Sequence, residues 1–206
     1  MINNGNLTIN DTAGNGIVCN TSTGTSNEKT HFILRNYGTM TINGGTFGDE
    51  DNDRSNVNSS NWGAALINLT GGDVTINGGY FTCGDNYWAG KPNGSTNYSY
   101  AIRNNGGTMV INDGNVYGKM NGGIASEAET SANPGLTKIN GGNFTVDGSM
   151  SYYVLVSQTS TNSVFEITGG TFVKNGGNGN ILGGFDGMPS WDASENLKQN
   201  GYTISG

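Results

Sequence analysis

Charge is scarce in this chain, and positive charge most of all. Of 206 residues, 12% are charged and nine are Lys or Arg, giving a formal net charge of −7. So few cations leave no basic footprint for a phosphate backbone, which argues against a nucleic-acid partner. Hydrophobic residues make up only 33%, and no apolar run approaches the length of a membrane span, so insertion into a bilayer is not expected. The opening Met1-Ile2-Asn3-Asn4 lacks the basic and apolar regions of a signal peptide. The chain is therefore expected either not to leave the cell by that route or to derive from a longer precursor. Two cysteines, Cys19 and Cys83, are too few for a disulfide framework. A single histidine, His31, leaves no visible partner set for nucleophilic catalysis.

Low apolar content with 36 glycines would suit a disordered chain, but the apolar residues are not scattered. Ile42-Asn43-Gly44-Gly45-Thr46-Phe47 recurs as Ile76-Asn77-Gly78-Gly79-Tyr80-Phe81, Ile139-Asn140-Gly141-Gly142-Asn143-Phe144 and Ile167-Thr168-Gly169-Gly170-Thr171-Phe172. Ile9-Asn10-Asp11 and Ile111-Asn112-Asp113-Gly114-Asn115-Val116 are degenerate copies, and the anchoring isoleucines step by 33, 34, 35, 28 and 28 residues. A period of this size marks a chain wound into stacked coils.

Each repeat resolves into three short strands. The first is apolar-x-Ile, as in Met40-Thr41-Ile42 and Val74-Thr75-Ile76, whose alternation turns the outer two side chains inward. An Asn and a glycine pair then make a corner. The second strand carries Phe47, Phe81, Val116, Phe144 or Phe172, and the third is an apolar run such as Ala65-Leu66-Ile67. This pattern predicts an all-β parallel β-helix, a single domain over residues 1–206, with about six coils spaced about 4.8 Å apart. Asn10, Asn43, Asn77, Asn112 and Asn140 should form an amide ladder, and the phenylalanines an internal stack. The cysteines fall two coils apart, roughly 9–10 Å and beyond disulfide reach, so free thiols are expected.

These repeats resemble those of large surface proteins of gut Firmicutes, which belong with the pectate-lyase-like right-handed parallel β-helix superfamily. The tail Asp192-Ala193-Ser194-Glu195-Asn196-Leu197-Lys198-Gln199-Asn200-Gly201-Tyr202 is similar to the short helical element that follows the last repeat in such proteins. Asp192 and Glu195 have the spacing of a capping pair, and Trp191 would belong to that cap. The resemblance implies a right-handed coil. It implies no one activity, since the superfamily holds lyases, binders and virion proteins.

Function is sought where the chain departs from its repeat. Long connections follow the second strand early in the chain, at 20–30, 48–63 and 84–99, and the third strand later, at 127–134, 157–163 and 184–201. Asp49, Asp51 and Asp53 alternate as at the start of a calcium loop, but Arg54 replaces the needed Gly and Ser60 the bidentate Glu. A solvated acidic tip and a weak Ca²⁺ site are both readings of it. Tyr87, Trp88, Tyr98 and Tyr100, with Trp62 beside them, have the composition of a sugar platform: ring faces to stack on among polar rims. Packing of the loops onto the prism is the plainer alternative.

Catalytic candidates are sparse. Arg35 and Arg103 follow third-strand runs two coils apart without acidic neighbours, while Arg54 and Lys91 sit on long loops, a poor place for a general base. A threonine row, Thr8, Thr41 and Thr75, is broken by Val110, Lys138 and Glu166, which argues against ice binding and suggests a surface ion pair. The expectation is a non-catalytic binding or display module, extracellular or at a cell surface, that meets a polysaccharide or glycan through loops 48–63 and 84–99. The first alternative is a structural virion or surface-assembly protein, with another copy or domain covering the ends of the helix. The second is a Ca²⁺-dependent polysaccharide lyase.

Overall fold

The computed structural model describes residues 1–19, 30–48, 62–82, 100–118, 122–130, 133–147, 154–157, 164–175 and 181–184. Among the described residues there are strands and no helix. The expected C-terminal helical segment and Trp191 lie outside them.

The strands form three parallel sheets, and successive coils take successive places in each. The first face stacks Asn6–Ile9 (β2), Thr39–Ile42 (β5), Asp73–Ile76 (β8), Thr108–Ile111 (β11), Leu136–Ile139 (β15) and Val164–Ile167 (β18). The second stacks Ile17–Val18 (β3), Thr46–Phe47 (β6), Tyr80–Thr82 (β9), Asn115–Gly118 (β12), Asn143–Asp147 (β16) and Thr171–Asn175 (β19). The third stacks Ile2–Asn3 (β1), Thr30–Asn36 (β4), Trp62–Leu69 (β7), Tyr100–Asn105 (β10), Gly122–Thr130 (β13), Leu155–Ser157 (β17) and Leu182–Gly184 (β20). The chain is a parallel β-solenoid.

Register follows the motif. Ile9, Ile42, Ile76, Ile111, Ile139 and Ile167 pair in one continuous row. Met40, Ile42, Val74, Ile76, Met109 and Ile111 are at most 2% exposed, whereas the residues between them, Thr41, Thr75 and Val110, are only half-buried. Phe47 stacks on Phe81 with centroids 5.0 Å apart, and Phe144 on Phe172 at 4.9 Å. Val116 occupies the same row between the two pairs. The stack is thus two aromatic pairs separated by an aliphatic rung.

The corner between the first and second faces explains the paired glycines. The second glycine has a positive φ in five coils: Gly45 (105°), Gly79 (111°), Gly114 (130°), Gly142 (102°) and Gly170 (113°). A side chain is strained in that region. The first glycine has a different duty, because a Cβ at Gly169 would fall on the Asn140 carbonyl oxygen of the coil before. In the coil where Asp113 takes that first place, its Oδ1 accepts the Gly114 N–H at 2.7 Å.

Two amide ladders run along the prism axis. The expected one lies on the surface: Asn43 donates to Asn10 at 2.7 Å, Asn77 to Asn43 and Asn112 to Asn77 at 2.8 Å, Asn140 to Asn112 at 2.9 Å. Thr168 continues it, its hydroxyl donating to Asn140 Oδ1 at 2.8 Å. The second ladder was not foreseen. It is internal, where the third face turns into the first, and uses Asn3, Asn36, Asn68 and Asn104, all at most 8% exposed. Asn3 Nδ2 donates to Asn36 Oδ1 (2.7 Å), Asn36 to Asn68 (2.9 Å), Asn68 to Asn104 (3.0 Å), and Asn104 to Thr137 Oγ1 (3.0 Å). Each amide also caps backbone carbonyls at the turn: Asn68 reaches Gly72 O and Thr108 O, both at 3.0 Å. The ladders run in opposite senses, surface donors pointing to the preceding coil and internal donors to the following one.

One connection differs from expectation. The repeat pattern predicts a long connection over 127–134, yet β13 continues through Thr130 and pairs antiparallel with Asn133–Pro134 (β14), Ala128 opposite Pro134 and Thr130 opposite Asn133. A short hairpin therefore leaves this coil.

Candidate binding site at the corner between the second and third faces

The three early loops are connections from the second face to the third. Their roots are well defined. β3, β6 and β9 end at Val18, Phe47 and Thr82, and β4, β7 and β10 begin at Thr30, Trp62 and Tyr100. β6 pairs directly with β9, and β7 with β10. The stretches 48–63 and 84–99 are therefore rooted on neighbouring coils, about 4.8 Å apart at their bases. The corner is tight at its start: Gly48 has a φ of 109°, Thr82 is 1% exposed, and a Cβ on Gly48 would fall on the Thr82 carbonyl.

Among the expected platform residues, Tyr87, Trp88 and Tyr98 lie outside the described residues, as do Asp49, Asp51 and Asp53. Trp62 opens β7 opposite Thr30, and its side chain lies outside them too. Tyr100 is a correction. It opens β10 opposite Gly122 and is only 2% exposed. A ring so enclosed packs the corner and offers no face to a sugar, because the strand has already turned it onto the prism.

The second face, which leads into these loops, carries a surface row that the sequence did not reveal. Thr46, Tyr80, Asn115, Asn143 and Thr171 share one register line. Tyr80 is half-buried, Asn115, Asn143 and Thr171 are exposed, and Asn143 Nδ2 donates to Asn115 Oδ1 at 3.1 Å. Beside the row, Tyr117 Oη donates to Asp147 Oδ2 at 2.8 Å and Asn175 Nδ2 to Asp147 Oδ1 at 2.5 Å. The Asp147 carboxylate is thus held by side chains from the coils on either side. In chemical terms the row is an aromatic ring with amides and hydroxyls, and the held Asp147 carboxylate lies beside it.

Elsewhere the candidates stay apart. Arg35 and Arg103 both register with Ile67, one coil on either side of it. The Arg35 guanidinium lies 4.9 Å from the Phe32 ring centroid, and Arg103 is 6% exposed. Lys138 Nζ and Glu166 Oε2 form the expected surface ion pair at 2.8 Å. Cys19 is a free, exposed thiol, and Cys83 lies outside the described residues. His31 lies on β4 opposite Gly63. Among the described residues, no group of three or more His, Cys, Asp or Glu could hold a metal, and no helix is long and apolar enough to cross a membrane.

The fold defines the class: a parallel β-solenoid. No protein-family model, curated protein or solved structure matches the chain.

Proposed function

We propose that the chain is a non-catalytic binding and display module, a rigid prism that presents loops 48–63 and 84–99 to a carbohydrate or glycan surface outside the cell. One observation carries the reading. The strands at the roots of the two loops are directly paired, so a loop bearing Tyr87, Trp88 and Tyr98 starts beside one bearing Asp49, Asp51 and Asp53. The row from Tyr80 to Thr171 extends this edge with polar groups already oriented by their neighbours. Stacking faces with fixed hydrogen-bonding groups around them are what a pyranose ring requires. Ca²⁺ bound by the Asp49–Asp53 loop would add oxygen coordination to sugar hydroxyls, and it needs further ligands beyond three carboxylates.

The test is a glycan array with and without Ca²⁺, followed by Trp88→Ala and Tyr80→Ala on any ligand found. Weakening of about tenfold or more by Trp88→Ala supports the reading. An array with no ligand, or binding indifferent to both substitutions, overturns it. Unsaturated-product absorbance on an acidic polysaccharide with Ca²⁺ would reassign the chain to the lyases.

A second reading, a structural component of a virion or surface assembly, is favoured by the exposed first coil. Met1 (62%), Ile2 (61%) and Ile17 (67%) are the most exposed large hydrophobic residues among those described.

A further inference from the structure

Asparagine is a chemically labile residue, most of all before glycine. The glycine nitrogen can attack the asparagine side-chain carbonyl, and no Cβ stands in its way. Both residues are described in six such pairs: Asn4-Gly5, Asn15-Gly16, Asn43-Gly44, Asn77-Gly78, Asn105-Gly106 and Asn140-Gly141. The fold treats them differently.

Asn43, Asn77 and Asn140 are rungs of the surface ladder. Each carboxamide donates one bond and accepts another, all between 2.7 and 2.9 Å. Their corners are wedged between coils. The Asn43 N–H bonds Ile9 O, the Asn77 N–H bonds Ile42 O and the Asn140 N–H bonds Ile111 O. A Cβ on Gly78 or Gly141 would lie 3.2 or 2.5 Å from a carbonyl oxygen of the coil before. Attack requires the asparagine ψ to turn, and the stacked backbone resists that turn. Asn105 is half-buried and paired with strands on both sides.

Asn4 and Asn15 are exposed, and their side chains have no hydrogen-bond partner among the described residues. They differ in what the following N–H meets. The Gly5 N–H donates to Asn3 Oδ1 at 3.1 Å, a neutral amide. The Gly16 N–H donates to Asp11 Oδ2 at 3.0 Å, a carboxylate. The Gly14 N–H holds the other Asp11 oxygen at 2.9 Å, and the Thr46 N–H holds the Gly16 carbonyl at 2.8 Å. A nucleophile and a base are thus fixed side by side, while the Asn15 side chain can swing toward them.

We propose that Asn15-Gly16 is a self-modification site, converted to aspartate and isoaspartate with Asp11 as the general base. Asp11 takes the Gly16 N–H proton as that nitrogen bonds Asn15 Cγ. The Cγ–Nδ2 bond then breaks, and Nδ2 leaves as ammonia with the proton returned by Asp11. The product is a cyclic imide. Water opens it at Cγ to give aspartate, or at the backbone carbonyl of residue 15 to give isoaspartate. Either product adds a carboxylate beside Asp11 to a chain of formal net charge −7. Water is the one co-reactant. The proposal does not depend on what the loops bind.

The experiment is incubation of the folded chain in mildly alkaline buffer made with heavy-oxygen water, followed over time by peptide mapping and mass spectrometry. The heavy oxygen marks conversion that occurs during the incubation. Asn15 should convert about tenfold or more faster than Asn43, Asn77 and Asn140, a barrier difference of about 1.4 kcal/mol. Asn4, equally exposed but without a carboxylate at its glycine, should fall between. In guanidinium the pairs should react at similar rates, because the fold is what separates them. Asp11→Asn should bring Asn15 down to the Asn4 rate with circular dichroism unchanged. If that substitution disturbs the corner, the comparison of Asn15 with Asn4 in the unaltered chain decides alone. Ladder pairs converting as fast as Asn15, Asn15 no faster than Asn4, a contrast that persists in guanidinium, or Asn15 unslowed in a folded Asp11→Asn chain would each overturn the proposal.

Discussion

Replacing Asn68 by Ala should cost far more than replacing Asn77 by Ala, although each is a rung of an asparagine ladder. Asn68 is 0% exposed. Its Nδ2 donates to Gly72 O, Asn104 Oδ1 and Thr108 O, each at 3.0 Å, and its Oδ1 accepts from Asn36 at 2.9 Å. The two hydrogens on Nδ2 are shared among three acceptors, so with the accepted bond the group amounts to about three bonds at about 1 kcal/mol net each. Asn104 Oδ1 would also lose this donor in a site that water does not reach, and an unsatisfied buried acceptor alone costs about 1–3 kcal/mol. Asn36 Nδ2 is spared, because Gly38 O and Asp73 O still accept from it. The loss should total about 3–5 kcal/mol. Asn77 makes one bond up and one bond down, both 2.8 Å and both in contact with solvent. Water replaces them, so its loss should stay within about 0.5 kcal/mol. The assay is guanidinium unfolding followed by circular dichroism, with the slope compared between variants to detect a loss of cooperativity between coils. Equal effects at the two positions, or a change below about 1 kcal/mol at Asn68, would refute the assignment of the internal ladder as the structural one.

Other substitutions probe other layers. Gly5→Ala meets nothing within 4 Å and should be close to neutral, whereas Gly38→Ala places a Cβ on the Gly5 carbonyl and should unfold the first turn. The two midpoints, measured side by side, check this. Phe81→Ala removes a ring that is 0% exposed and stacked 5.0 Å from Phe47, and should cost about 3–5 kcal/mol by the same unfolding assay. Lys138→Ala breaks the ion pair with Glu166, whose side chains are 41% and 51% exposed. It should change stability by less than about 1 kcal/mol, and added salt should erase even that.

The fold was legible because its determinants recur in register. Ile at one position and Phe at another, with glycines between, read directly as inward side chains and a corner. The structure adds why two glycines are used: the second needs a positive φ, which Gly114 keeps in the degenerate coil where Asp113 replaces the first. The internal ladder was hidden by composition. Asn36, Asn68 and Asn104 lie two or three residues before the turn glycines Gly38, Gly71 and Gly106, in a chain rich in Asn, so nothing local marks them as buried. The successive steps Asn3 to Asn36, Asn36 to Asn68 and Asn68 to Asn104, of 33, 32 and 36 residues, are the signal that marks them. The hairpin at 128–134 is not legible because the segment 127–134 departs from the repeat and reads as an insertion; Pro134 fits there because an edge strand admits proline. Tyr100 was grouped with exposed aromatics by its nearness in sequence to Tyr98, but strand alternation governs where its ring goes. The row from Thr46 to Thr171 escapes the sequence because its members belong to five different coils. Only the register brings them together.

The claim on which the rest depends is that the repeat is a ruler, each motif lying one strand spacing from the next. Spin labels at Thr8→Cys and Glu166→Cys, with Cys19 and Cys83 replaced by Ser, test it directly. The two positions share an outward row on the first face and lie five register steps apart. The account predicts one narrow distance of about 24 Å, widened only by the label arms. A broad distribution, or a maximum beyond about 40 Å, would contradict it.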